Sequence, residues 1–172
     1  EAFGLEPGRS MEKETVAALR KLGFDYVFDN QFSADLTIME EGSEFLERLQ
    51  GKGKLPMITS CSSAWMKCME QFYPDLIDNV STCKSPMSMM GALIKTYFAK
   101  KIKRDPKDIL SVGVMCCTAK KFEAARPELM IDGLPATDMV VTTREAAWMM
   151  KSAGIDILHI KGEDYDEPLG LS

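Results

Sequence analysis

The sequence predicts an α/β fold, a parallel β-sheet flanked by helices on both faces. Three observations carry that prediction. Strand-like and helix-like segments alternate along most of the chain. Three of the strand-like segments run straight into a helical one, at "ITSC", "VMCC" and "VVTTRE". The chain's 172 residues, 45% hydrophobic and 27% charged, also suffice for one domain with a core of its own.

Taken in order, "SMEKETVAALRKLGF" reads as a helix: Val16, Leu19, Arg20, Leu22 and Phe24 fall roughly on a helical period, and Gly23 suits its end. "DYVFDN" follows as a short strand. "ADLTIMEEGSEFLERLQ" is an amphipathic helix whose apolar side carries Leu36, Met39, Phe45, Leu46 and Leu49, closed by the glycines at 51 and 53. "LPMITS" is a buried strand with Pro56 near its start, where a missing N–H matters least. "SAWMKCMEQFYP" is a helix that stops before Pro74. "KSPMSMMGALIKTYFAKKIK" reads as the longest helix, with Ser85 as N-cap and Pro86 in the first position. "DILSVGVMC" is a strand, and "TAKKFEAAR" a helix halted by Pro127. "DMVVT" is a strand that feeds "TREAAWMMKSAG", a helix with a Thr142–Glu145 capping box and Gly154 as terminator. "IDILHI" reads as one more strand. In a parallel sheet every strand-to-helix junction lies on the carboxyl edge, where open α/β sheets bind their ligands. Cys61 and Cys117, remote in sequence, are thereby expected at a common rim.

Composition narrows the function. A net charge of -5 and a pI near 5.0 give no broad footprint for nucleic acid, and the run Lys100, Lys101, Lys103, Arg104 suits the solvated end of a helix. No apolar stretch is long enough to span a bilayer, and no signal-peptide pattern opens the chain. Five cysteines, an odd number without a secretory signal, argue for a reducing, cytoplasmic compartment and against a disulfide framework. The 13 methionines are read as soft core packing. The opening at Glu1 and the ending at "EPLGLS" suggest a piece of a longer polypeptide, residues 1–172 being a partial domain.

The candidate chemistry is thiol-based. A lone cysteine is more often core filler than ligand, but two at sheet-edge junctions raise the functional reading. There is no C-x-x-C motif and no zinc spacing, and the single histidine, His159, falls in a strand-like segment. An iron–sulfur cluster takes four thiolates, so some ligands would lie outside this chain. Glu41, Glu44 and Arg48, spaced i, i+3 and i+7, share one helix face. They form either an exposed ion-pair row of little worth or a carboxylate relay for protons. Lys120, three residues after Cys117, is either a surface solubiliser or a cation aimed at an anionic ligand.

With these residues in view, the sequence resembles the catalytic domain of the [FeFe]-hydrogenases. "TSCSSAW" at 59–65 looks like that family's signature TSCCPxW, and "MCCTAKKFE" at 115–123 looks like MPCxxKxxE. "ADLTIMEEGSEFLERL", "YPDLIDNVSTCKSP" and "TDMVVTTREAAWMMKSAGID" are similar as well, so the resemblance covers nearly the whole chain. It implies one lobe of the hydrogenase catalytic domain. It also implies the H-cluster, a [4Fe–4S] cubane joined to a binuclear iron unit, which interconverts protons and H₂ with electrons from ferredoxin or a similar carrier. Position by position, Cys117 matches a cubane ligand, and Lys120 the lysine that hydrogen-bonds a cyanide. Met115, Ser60 and Pro86 match residues against the cofactor. Cys61 matches the cysteine that passes protons to the two-iron unit, and Ser81, Glu44, Glu41 and Arg48 match successive members of the proton path.

The departures are specific. Ser62 stands where the family has a second cubane cysteine, Ser63 where it has a proline, and Cys116 where MPC has its proline. A serine oxygen is a harder and far less acidic ligand than a thiolate. The third signature, with the last two cubane cysteines, is not in this sequence, so the chain alone is expected to assemble no H-cluster and to turn over no H₂. Two further readings follow from the same resemblance: an H₂-sensing regulatory module, favoured by Ser62 and Cys116, and a non-catalytic iron–sulfur assembly factor, which would need no proton row.

Overall fold

The computed structural model describes residues 2–168 and, among them, builds the predicted α/β fold from seven α-helical segments and a two-stranded sheet. Helix α1 (Glu12–Lys21) turns Val16, Ala17, Ala18 and Leu19 inward, and Gly23 ends it at φ 103°, a conformation that a side chain would resist. Val16, Ala18 and Leu19 join Val27, Met150 and Ile157 as the core of a first unit. That unit takes in the chain up to Asp29, Val114–Cys116, and the chain from Val141 onward. Its last helix, α7 (Thr143–Ser152), begins with the capping box foreseen: Thr142 N donates to Glu145 Oε2 at 2.7 Å, and Glu145 N donates to Thr142 Oγ1 at 3.2 Å.

The second unit comprises Asn30–Gly113 and Cys117–Val140. It holds α2 (Gln31–Glu47), prolonged by a π-helical turn at Arg48–Lys52, and then α3 (Ser63–Phe72). Next come α4 (Pro86–Leu93), a π-turn at Ile94–Phe98, the short α5 (Ala99–Lys101) and α6 (Ala119–Ala124). Ser85 caps α4 and Pro86 follows in its first turn, as read from sequence. Met69, Met87 and Met90 are buried together with Val80 and Phe98, so methionine does fill core here. Gly91 lets α4 touch backbone: a Cβ there would stand 2.5 Å from the carbonyl oxygen of Ala136. Strands β1 (Val112–Met115) and β2 (Met139–Thr142) pair in parallel across the α6 crossover. No helix among the described residues is long and apolar enough to cross a membrane.

Three segments differ from the sequence reading, each for a local reason. The strand expected over 25–30 reduces to one bridge, Phe28 with Asp166, because the Asp166 side chain itself accepts the Val27 N–H at 2.8 Å. The strand expected at 55–60 reduces to the bridge Ile58–Val80, between Pro56, which has no N–H, and the start of α3. "IDILHI" is a turn. Asp156 accepts the Leu158 N–H at 3.1 Å and meets His159 Nδ1 at 2.7 Å, leaving His159 exposed at the surface.

Helix α2 with its π-turn, and not the run from Pro86, is the longest helical stretch among the described residues. Its apolar side is also not its buried side. Met39 is 68% exposed and Leu46 60%, while Ser33, Thr37 and Arg48 are buried.

Candidate functional site

The inward face of α2 is polar because its groups find bonds. Ser33 and Thr37 donate back to the carbonyls of Asn30 and Ser33, and Thr37 also meets the Met89 sulfur of α4. Glu44 and Arg48 reach backbone and side chains between Lys54 and Thr82. Glu44, one turn before Arg48, is the centre. Its Oε1 accepts Nε and Nη2 of Arg48 at 3.0 and 2.6 Å. Its Oε2 accepts the Ser81 hydroxyl at 2.7 Å and the Thr82 N–H at 3.0 Å, with the Cys83 thiol 3.9 Å away. Burial pushes the Glu44 carboxyl up, but the Ser81, Arg48 and Thr82 donors outweigh it and hold the group below the usual glutamate range. Cys83 is pushed the other way, chiefly by burial, with Glu44 and Glu41 adding to the rise. Arg48, 7% exposed, also donates to the carbonyls of Lys54, Asp78 and Val80 at 3.0, 3.1 and 2.7 Å. Glu41, one turn before Glu44, buries its Oε1 with no hydrogen-bond partner among the described residues. The three charged residues therefore do share a face, and that face is turned inward.

A second cluster forms where α3, α4 and α6 begin. Cys61 and Ser62 lead into α3, and the Ser62 hydroxyl accepts the Trp65 N–H at 3.4 Å as the N-cap. Cys117 leads into α6, and Ala119 N donates to its sulfur at 3.4 Å. Both thiols, like that of Cys116, are exposed and free. Lys120 links the two junctions, its Nζ lying 2.7 Å from the Cys61 carbonyl oxygen and 2.7 Å from Glu123 Oε2. Glu123, 6% exposed, also accepts the hydroxyls of Ser63, Ser85 and Ser88. Burial pushes its carboxyl up, yet Lys120 and the three serines together hold it below the usual range, so it is ionised at neutral pH.

Of the other residues singled out from sequence, Ser60 donates its hydroxyl to the Cys83 carbonyl, and Pro86 is half-buried in the first turn of α4. Met115, half-buried, ends β1 in the first unit. Sequence reasoning quoted Glu123 as the last residue of "MCCTAKKFE" without giving it a part, and gave none to Cys83. The one sequence signal for Glu123 was its i+3 spacing from Lys120.

An iron–sulfur cubane takes four thiolate ligands. Among the described residues no group of three or more His, Cys, Asp or Glu side chains is placed to hold a metal ion. Cys117, an exposed thiol with one N–H directed at its sulfur, suits a single position of such a ligand set, and Ser62 uses its oxygen as a helix cap. These residues do not by themselves fit a complete cluster.

Comparison with known proteins gives a consistent result. The family model described as "Iron only hydrogenase large subunit, C-terminal domain" matches residues 1–172. The chain is similar to the NADP-reducing hydrogenase subunit HndD of Solidesulfovibrio fructosivorans, 50% identical over all of this chain and 30% of that protein. It is similar to the periplasmic [Fe] hydrogenase large subunit of Nitratidesulfovibrio vulgaris, 47% identical over all of this chain and 41% of that one. Among solved structures it superposes on an apo form of the [FeFe]-hydrogenase HydA1 from Chlamydomonas reinhardtii with a TM-score of 0.95 at 44% identity, covering 100% of this chain and 44% of that one. The chain thus spans less than half the length of each.

Proposed function

Since the chain belongs to the family of iron-only hydrogenase C-terminal domains, we propose that it is the part of an [FeFe]-hydrogenase that delivers protons to the iron site and supplies one wall of it. The intact protein then carries out 2H⁺ + 2e⁻ ⇌ H₂ on a [4Fe–4S] cluster and binuclear iron, with electrons from ferredoxin or a similar carrier. The observation that supports the reading best is the half-buried Glu44 network, with buried Arg48 and Ser81 beside it. A carboxylate kept ionised inside the protein, with a hydroxyl on one oxygen and a guanidinium on the other, is a proton acceptor that rests empty. The Ser81 hydroxyl both donates to Glu44 and accepts the Cys83 N–H at 3.1 Å, so it can hand a proton on while its oxygen stays fixed. Glu41, with an open buried oxygen, is the member able to take a bridging water. Arg48 keeps Glu44 aimed. Cys61 is assigned the last transfer, and Cys117 and Lys120 the wall of the metal site.

The test uses the full-length polypeptide loaded with its iron cofactors. E44Q, E41Q and C61S are each expected to lower H₂ evolution by about 100-fold or more, the scale of a lost positioned proton donor or acceptor, at unchanged iron content. Turnover that survives all three changes overturns the assignment. The 172-residue chain alone is expected to evolve no H₂ after attempted loading. A second reading, H₂ sensing, is favoured by Ser62 standing at a cubane-cysteine position. It keeps the same residues but predicts slow turnover, which S62C would accelerate.

A further inference from the structure

Glu123 closes the second signature-like stretch, yet nothing in the proton network uses it. A carboxylate this deeply buried loses its hydration and must recover donors from the protein. Glu123 recovers four, from three separate segments. Lys120 comes from its own helix, Ser63 from the first turn of α3, and Ser85 and Ser88 from the N-cap and first turn of α4. Both partner helices meet it with their N-terminal turns, the ends that favour an anion. The division between its oxygens is orderly: Oε1 takes the two serines of α4, and Oε2 takes Ser63 and Lys120.

We propose that Glu123 is the positioning residue of this site, fixing the Lys120 ammonium on the Cys61 carbonyl and so setting the spacing between the Cys61 and Cys117 junctions. A lysine stem has four rotatable carbons and does not hold a direction unaided. With Glu123 Oε2 and the Cys61 oxygen both at 2.7 Å, two of the three ammonium protons are committed and the third keeps one direction. Remove the charge and only neutral acceptors remain, which water replaces easily. Ser63, at the position where the hydrogenase signature has proline, donates to the same oxygen as Lys120, so this chain adds a donor to the anchor. The inference rests on the proposed function only for what the third proton serves; the placement of Lys120 exists without any cofactor and is measured without one.

The experiment is acylation of the full-length, cofactor-free polypeptide with an amine-directed acetylating reagent, followed residue by residue by mass spectrometry. The solvent-exposed Lys52 is the internal standard. In the wild type Lys120 reacts more slowly than Lys52. E123Q is expected to raise the Lys120 rate about tenfold or more, the loss of a charge-assisted hydrogen bond, with Lys52 unchanged. E123D keeps the charge but withdraws it by one methylene, and is expected to fall between. In a C68S/C83S/C116S background, the cross-linked peptide joining Cys61 to Cys117 through a short bifunctional thiol reagent, identified by mass, is expected to drop several-fold in E123Q. A residue that only supported the fold would lower the melting temperature and leave the Lys120-to-Lys52 ratio alone. An unchanged ratio in folded E123Q overturns the proposal. If E123Q does not fold, an unchanged ratio in E123D does so.

Discussion

Replacing Arg48 by methionine tests the interior of α2 most directly. Arg48 is 7% exposed, and each of its five guanidinium N–H donors has an acceptor: two on Glu44 Oε1 and one each on the carbonyls of Lys54, Asp78 and Val80. Methionine fits the stem and loses all five. The Lys54 and Asp78 carbonyls lie on exposed residues and recover water, so their loss is minor. Val80 is 6% exposed and Glu44, half-buried, keeps the Ser81 and Thr82 donors and the weak Cys83 thiol, so most of the cost falls on a partly desolvated carboxylate deprived of its counter-charge. Breaking a fully buried pair costs about 3–5 kcal/mol, and this one, buried on the arginine side alone, should cost about 2–3 kcal/mol. R48K restores a charge without the planar fork and should recover about half of that. Urea unfolding followed by circular dichroism at neutral pH measures both. The difference between wild type and R48M should also shrink in acid, where Glu44 is protonated and has no charge to pair. A loss below about 1 kcal/mol at neutral pH would show that the pair is no more than a surface contact and refute the reasoning.

Two further outcomes follow from close packing and from buried charge. G91A places a methyl group 2.5 Å from the Ala136 carbonyl oxygen and 2.7 Å from Thr137 Oγ1, so overpacking should cost about 1–3 kcal/mol; an unchanged melting temperature contradicts the close approach of α4. Glu44 and Glu123 both have folded-state values below the usual 4.5, so the stability they contribute is complete above that pH and is lost as pH falls through their lower native values. Denaturation midpoints measured from about pH 6 to about pH 2 should therefore decline below pH 4.5, and E44Q combined with E123Q should flatten the decline; an equally steep double variant contradicts the assignment.

What could be read from sequence was whatever a few neighbouring residues decide. The Thr142–Glu145 box, the Ser85–Pro86 start and the Gly23 and Gly154 stops are local hydrogen-bond and dihedral choices, and all are found. The α/β alternation was likewise legible, since β1, α6 and β2 form one crossover unit. Strand extent was not. Whether 25–30 pairs over one residue or five depends on Asp166, well over a hundred positions away. The Glu123 anchor escaped for the same reason, its serine partners lying 60, 38 and 35 residues back. The face of α2 was misread because hydropathy weighs apolar residues and is blind to the partners that Glu44 and Arg48 find inside.

That last helix has an orientation problem of its own. A half-revolution about its axis would carry Ile38, Met39, Phe45, Leu46 and Leu49 inward and release the carboxylates to water, the arrangement that oil-and-water accounting alone prefers. Directional bonds to backbone carbonyls and to Ser81 outvote it. Loss of the ion pair is therefore expected to loosen the roll of the whole helix rather than to open a void. Thiol labelling of M39C would report it: rapid in the native roll, protected in the other.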